Sequence, residues 1–267
     1  LKPIAGGWAP RRARGTCSAG LSPALRAGCR SLGKSMDPRW ESCLSLRGGQ
    51  LRVQLGCGKS VQALSEKEFS DFLRALTGWV EEQHRGSAGS GEGGSGAVTL
   101  AVFDASRHRL GNSSCSSIAR FLGSGTANTQ VSKILVLKLY RNNIGDEGAR
   151  MLASWVKHAA GLEELHLSHN RIRTGGAVAL VRAAASSGRY PIRRSGYGLW
   201  CRLEQNWIDP ERALQLIAEE DKRLRVSSFE DRDRFGASRS MCAVMVSPAG
   251  KRGGAEREVA RLANFEK

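Results

Sequence analysis

Gly56-Cys57-Gly58-Lys59-Ser60 is the first group of residues whose types and spacing suggest chemistry. A Gly-Lys-Ser ending after a strand is how a phosphate-cradling loop closes. Backbone N–H groups wrap the phosphates, the lysine reaches them and the hydroxyl holds the metal. The full pattern also needs a glycine five residues before Gly58, and Val53 stands there. Without it the tight turn is compromised, and no second nucleotide-binding element accompanies the loop, so nucleotide binding is not expected. Gly89, Gly91 and Gly94 satisfy G-x-G-x-x-G, but they lie in a Gly/Ser-rich stretch after a helix, which is the wrong context. The histidines are His84, His108, His158, His166 and His169. His166 and His169 are near neighbours, yet no cysteine or acid is placed to finish a metal site. Seven cysteines stand at 17, 29, 43, 57, 115, 201 and 242, with no C-x-x-C pair. That pattern reads as reduced thiols in an intracellular compartment, not as a disulfide framework or zinc site. No Ser/His/Asp or Cys/His constellation stands out, so the chain reads as non-enzymatic, with no cofactor.

Charge raises a different possibility. The 267 residues carry 41 Lys and Arg against 25 Asp and Glu, a formal net charge of +16, which invites a nucleic-acid reading. Residues 1–36 contain seven positives and no acid, and residues 222–267 contain eleven positives and six acids. The middle, 37–221, is close to balanced. The alternative function is therefore an RNA- or ribonucleoprotein-associated protein whose basic flanks contact phosphate, helped by Arg189, Arg193 and Arg194. Residues 1–36 read as a basic, disordered leader. Translated upstream sequence, or part of a longer protein, is favoured there over an organelle transit peptide. There is no secretory apolar segment and no run near the ~18 residues a membrane span needs. Cytoplasmic or nuclear localisation is expected, with no membrane partner. Asn112-Ser113-Ser114 matches a glycosylation acceptor but reads as polar loop.

The elements that would position any site begin at residue 50. Gln50–Leu55 alternates, with Leu51, Val53 and Leu55 on one face, and predicts a short strand. Ser65 followed by Glu68 forms a capping box that starts a helix. Phe69, Phe72, Leu73, Leu76, Trp79 and Val80 line one face of that helix. Residues 37–85 thus form an N-terminal cap or divergent repeat, and 86–97 a flexible linker. Residues 227–267 lack sustained periodicity and predict a mostly disordered basic tail, interrupted by an apolar patch at Met241–Val246.

Between linker and tail, residues 98–226, the sequence repeats. Ile134–Gly145 and Leu162–Ile172 both read L-x-x-L-x-L-x-x-N-x-I, counting Ile as Leu. Degenerate copies flank them: Leu100, Phe103, Ala105, His108 and Leu110 before; Cys201, Leu203, Asn206 and Ile208 after. Gly148, Ala149, Leu152 and Val156 follow Ile144 at the offsets at which Gly176, Ala177, Leu180 and Ala184 follow Ile172. Those offsets describe a helix packing on the strand. In L-x-L the leucines point inward and the x residues outward. An asparagine at the following bend can bond neighbouring backbone with both its carbonyl and its amide. Asn142, Asn170 and Asn206 predict a structural ladder, with His108 an imperfect substitute.

Over about residues 98–222 this block resembles leucine-rich repeats of the ribonuclease-inhibitor type. The resemblance implies an α/β fold: a short solenoid of about four repeats, one strand and one helix each, with disordered N- and C-terminal flanks. Insertions fall at Ser124–Gln130 and at Ser186–Gly198, the latter including Arg189, Tyr190, Arg193, Arg194 and Tyr197. A helix over Pro210–Leu224 would close the C-terminal end. The resemblance also implies a protein partner, of no particular identity, bound on the strand face. The outward strand residues are Val102, Asp104 and Ser106; Val136, Lys138 and Tyr140; Glu164, His166 and Ser168; Trp200, Arg202 and Glu204. The expected contact residues are Lys138, Tyr140, His166, Ser168, Trp200, Arg202 and Glu204, led by Tyr140 and Trp200, because exposed aromatics and arginine anchor interfaces.

Overall fold

Helix α1 (Pro38–Glu41) starts where the Asp37 side chain accepts from the Arg39 backbone N–H (2.9 Å). Strands β1 (Leu44–Arg47) and β2 (Gln50–Gln54) then pair antiparallel. Gly48 and Gly49, between them, have φ of +54° and +72°. A two-residue hairpin asks for two left-handed residues, and glycine takes that conformation without a Cβ penalty. The computed structural model describes residues 36–55, 63–87, 98–123, 131–159, 161–190, 192, 198–209, 211–213, 215–216, 225–229, 240–245 and 259–264. The Gly56–Ser60 loop, most of the 86–97 linker, the Ser124–Gln130 insertion and residues 1–35 lie outside them.

Helix α2 (Glu66–Ser87) follows its capping box: Ser65 N–H donates to Glu68 Oε2 (2.8 Å), and Glu68 N–H donates to Ser65 Oγ (3.2 Å). Its apolar stripe, Phe69 to Val80, is buried against β2 and the strand that follows, with Trp40 edge-on to Phe72. Then strand and helix alternate: β3 (Val98–Asp104), α3 (Asn112–Gly123), β4 (Val131–Lys138), α4 (Asp146–Val156), β5 (Glu164–His166), α5 (Thr174–Ser186) and β6 (Leu199–Arg202). Strands β2 to β6 are parallel neighbours in chain order, so segment 50–87 stands in line with the repeats as one more strand–helix unit. Phe103, Leu137, Leu165 and Cys201 fall in one lateral row of the sheet and are fully buried. Leu139, Leu167 and Leu203 occupy the next inward row, with Leu152, Leu180 and Ile118 facing them from the helices. Each such leucine contributes about 1.5–3 kcal/mol relative to exposure. The described residues belong to one compact unit, Met36–Lys267.

The bend after each strand is filled by an amide side chain. Asn170 Oδ1 accepts from Ile144 N–H (3.0 Å), while its Nδ2 donates to the carbonyls of Leu139 (3.0 Å) and Leu167 (2.9 Å). Asn142 accepts from His108 and Leu110 and donates to Ala105 and Leu139. Asn206 accepts from Ile172 and donates to Leu167 and Leu203. Each asparagine therefore ties its own turn to the preceding one. His108 does half of this: its Nδ1 accepts from Leu64 N–H (3.1 Å), and its Nε2 is buried with no hydrogen-bond partner among the described residues.

A second ladder runs through the helix starts. Gly145 and Arg173, the N-cap residues of α4 and α5, make no side-chain cap of their own. Their N–H groups are taken by the first helical residue of the preceding repeat: Gly145 by Asn112 Oδ1 (2.9 Å), Arg173 by Asp146 Oδ1 (2.6 Å). Gly111 N–H goes likewise to Glu66 Oε1 (2.9 Å), and Asp209 N–H to Thr174 Oγ1 (3.1 Å). This explains the matched glycines. A Cβ on Gly148 would stand 2.8 Å from Asn112 Oδ1, and one on Gly176 would stand 2.7 Å from Asp146 Oδ1.

Beyond β6 the chain turns helical again at 211–213 and 215–216, with Ala213 buried; residues 217–224 of the expected helix lie outside the described part. The tail expected to be mostly disordered contributes β7 (Arg225–Phe229), β8 (Ser240–Met245) and β9 (Val259–Asn264). Strand β8 joins β6 in parallel, and β9 and β7 follow antiparallel, so the sheet runs β1-β2-β3-β4-β5-β6-β8-β9-β7. The apolar patch at 241–246 is thus largely β8; the remainder of 230–267 lies outside the described residues.

Candidate interaction surface

Parallel pairing in register sets the outward residues into rows. Asp104, Lys138, His166 and Arg202 are lateral neighbours across β3 to β6. Val102, Val136, Glu164 and Trp200 form the row below. Above lie Ser106, Tyr140, Ser168 and Glu204, where the turns begin. Of the seven expected contact residues, Lys138, His166, Trp200 and Arg202 therefore share one sheet face, with strands about 4.8 Å apart, and Tyr140, Ser168 and Glu204 lie two residues beyond the strand ends.

Their exposure differs. Ser168 and Glu204 are buried, at 7% and 8%, whereas Lys138, Tyr140, His166, Trp200 and Arg202 are half-buried. Two pairs close on themselves: His166 Nε2 meets Glu164 Oε2 (2.9 Å), and Arg202 donates through Nε (3.0 Å) and Nη2 (2.9 Å) to Glu204 Oε1. Residues two apart on a strand share a face, so both pairs follow from sequence spacing. Tyr190, from the second insertion, is buried and donates its hydroxyl to the Leu162 carbonyl (2.7 Å); Arg193, Arg194 and Tyr197 lie outside the described residues.

The rim above this face carries a feature that the sequence reading did not single out. The residue before each ladder position is left-handed: Arg107 (φ 70°), Arg141 (55°), His169 (58°) and Gln205 (58°). Two residues on stand Arg109, Asn143, Arg171 and Trp207. The side chains of Arg107, Arg109, Arg141, Arg171 and Arg173 are exposed. The Arg107 guanidinium lies over the Tyr140 ring (5.5 Å), and that of Arg173 over Trp207 (5.6 Å). Burial, then the Arg141 charge, hold the His169 imidazole below its usual range. Writing the repeats beneath one another pairs Arg107 with Arg141 and Arg109 with Arg171, but sets His169 and Gln205, and Asn143 and Trp207, in the same two columns.

Chemistry of other kinds finds little here. Among the described residues no group of three or more His, Cys, Asp or Glu could hold a metal. Cys43, Cys115 and Cys201 are free thiols, and burial pushes Cys115 up to about 12, far from a reactive thiolate. Asn112 of the glycosylation-like tripeptide is engaged with Gly145 N–H at the start of α3. Among the described residues no helix is long and apolar enough to cross a membrane.

No curated protein matches the chain. The repeating turn, the buried L-x-L rows and the strand–helix alternation coincide with the two segments, 132–153 and 162–181, that match the family model for the Leucine Rich repeat.

Proposed function

We propose that this protein is a non-enzymatic interaction module, a scaffold whose repeats stack as a short solenoid of the ribonuclease-inhibitor-like type. It binds another protein through the outward strand face. Leucine-rich repeats commonly serve protein–protein interaction. The observation that carries the reading is the continuous row of Lys138, His166 and Arg202, flanked by Tyr140 and Trp200, across three consecutive strands. Such a surface offers aromatic and arginine anchors on a rigid scaffold.

The test is affinity capture with the full chain against a Tyr140→Ala/Trp200→Ala double variant. A protein retained by the parent and lost by the variant supports this face. Equal retention by both removes it. The alternative, phosphate contact by the basic flanks, predicts instead that the chain binds generic RNA with a steep salt slope untouched by the double variant.

A further inference from the structure

We propose that the arginine rim of the repeats, Arg107, Arg109, Arg141, Arg171 and Arg173, takes an extended acidic peptide segment of the protein partner. The inference rests on the reading of the repeats as a protein-binding module and names the chemistry of what they bind.

Position comes first. Arg107 N–H donates to the Tyr140 carbonyl (3.0 Å), Arg141 N–H to Ser168 (2.9 Å) and Arg171 N–H to Ile144 (2.8 Å). The backbone under each guanidinium is thereby locked to the neighbouring turn. The side chains are long, but their origins fall at two nearby turn positions, Arg107 and Arg141 at one, Arg109 and Arg171 at the other.

Charge comes second. None of the five guanidinium groups is ion-paired among the described residues. The nearby acids are committed to other groups: Asp104 Oδ1 to Ser106 N–H, Asp146 Oδ1 to Arg173 N–H, Asp209 Oδ1 to Arg212 N–H and Glu204 to Arg202. The five guanidinium groups are thus left open to an added carboxylate, although acids stand close by. Folding does not demand arginine there. At φ of 70°, 59° and 55°, residues 107, 109 and 141 would be held at lower cost by Gly or Asn.

Two observations favour a carboxylate-bearing peptide over single-stranded nucleic acid. Tyr140 and Trp207, the aromatic rings at this edge, each already carry a guanidinium over one face, where a base would otherwise stack. That stacking also steadies the arginine plane and leaves its N–H edge free for bidentate pairing with a carboxylate. Meanwhile carboxyl groups stand among the arginines: Asp146 Oδ1 accepts from Arg173 N–H (2.6 Å), and Glu204 lies close enough to His169 to act on its charge, so a continuous run of phosphates would meet them. An extended peptide places acids on one side only at every second residue, about 6.7 Å apart, so it can present them to the arginines and neutral residues to the acids.

The experiment titrates the full chain, at physiological salt, with a fluorescent alternating Glu-Ser peptide of about ten residues, and with a single-stranded RNA oligomer of similar length. The basic flanks attract both probes, so the readout is the difference between two variants of equal net charge. One is Arg107→Asn/Arg141→Asn/Arg171→Gln, in which Asn suits the left-handed positions; circular dichroism verifies its fold. The other is Arg74→Gln/Arg120→Gln/Arg150→Gln on the helices. The rim variant should lose about tenfold or more in peptide affinity and the helix variant should stay near the parent. Equal effects of the two variants, no peptide binding by the parent, or a rim-dependent preference for RNA would each overturn the proposal. If the rim variant binds normally while the Tyr140/Trp200 variant loses its captured protein, the interaction-module reading stands and only the acidic-peptide inference fails.

Discussion

Helices α2 and α5 both start after a residue whose backbone N–H is taken by a carboxylate side chain, but different parts of the chain supply that carboxylate. In α2 it is local: Ser65 N–H goes to Glu68, three residues on. In α5 it is remote: Arg173 N–H goes to Asp146, which begins the helix of the previous repeat. The turns before these helices differ in parallel. In the central repeats Asn170 bridges two turns with both ends of its amide. At the N-terminal junction His108 accepts one bond, and among the described residues its other nitrogen makes no close hydrogen bond. The N-terminal unit is therefore built to stand at an end, satisfying itself, while a central repeat is satisfied by its neighbours. Repeat stability of this kind is a sum of intrinsic and interface terms, and here the interface share is visible bond by bond.

The comparison can be broken most forcefully at Asn170. Asn170→Leu leaves Ile144 N–H and the Leu139 and Leu167 carbonyls buried without that partner. The expected loss is about 3 kcal/mol or more, against about 1 kcal/mol for Ser65→Ala at the self-contained cap. Urea unfolding of both variants checks this; equal small losses would mean the turns do not depend on the amide.

Two glycines sharpen it next. Gly176→Ala drives a Cβ toward Asp146 Oδ1, the Asp146 Cα and the Ala149 Cβ, the last two at 3.0 Å. It should cost about 1–3 kcal/mol by forcing the two repeats apart. Gly78 in α2 has open space at its Cβ position, and Gly78→Ala should raise stability by up to about 1 kcal/mol through helix propensity. Effects of the same sign would count against the close approach of the repeats at Gly176.

The smallest expected effect is the pH response of the N-terminal junction. Burial holds the His108 imidazole below its ordinary value of 6.5. The folded state thus prefers the neutral ring, so this contribution is complete above that value and is lost as pH falls through the depressed one. Protonation would also place a hydrogen on Nδ1, which now accepts from Leu64 N–H. Unfolding midpoints should be flat near neutral pH and fall below about 6.5. His108→Asn should flatten the fall, leaving the contribution of His169, which shifts the same way. A parent and variant with identical pH profiles would rule out His108 as the origin.

Much of the fold was legible because local rules and the tertiary outcome agree. The Ser65–Glu68 pair, the stripe from Phe69 to Val80, the L-x-L rows and the Asn positions each announce themselves within a few residues. The Gly48-Gly49 hairpin was equally present and simply unread. The helix starts at Gly145 and Arg173 were harder. Neither residue is a strong local cap, because the group that satisfies each lies about thirty residues back, and no short-range pattern carries it. The tail was harder still: β8 holds apolar residues, but its place beside β6, with β9 and β7 beyond, is a matter of pairing across long separations. On the candidate surface the outward residues followed from alternation. The arginine rim did not, because its residues lie in turns, where periodicity is silent.

The amino-acid sequence by itself determined the period, which residues face in or out, and the chemistry of the turn, because these depend on spacing and on what one side chain can bond nearby. Only the tertiary structure decided what the repeats do for one another. It set Asn112 and Asp146 to cap the next helix, gave Gly148 and Gly176 their reason, and tied the turns that carry Arg107, Arg141 and Arg171 to their neighbours. Those outcomes depend on parallel register between strands some thirty residues apart, which exists only once the repeats are stacked.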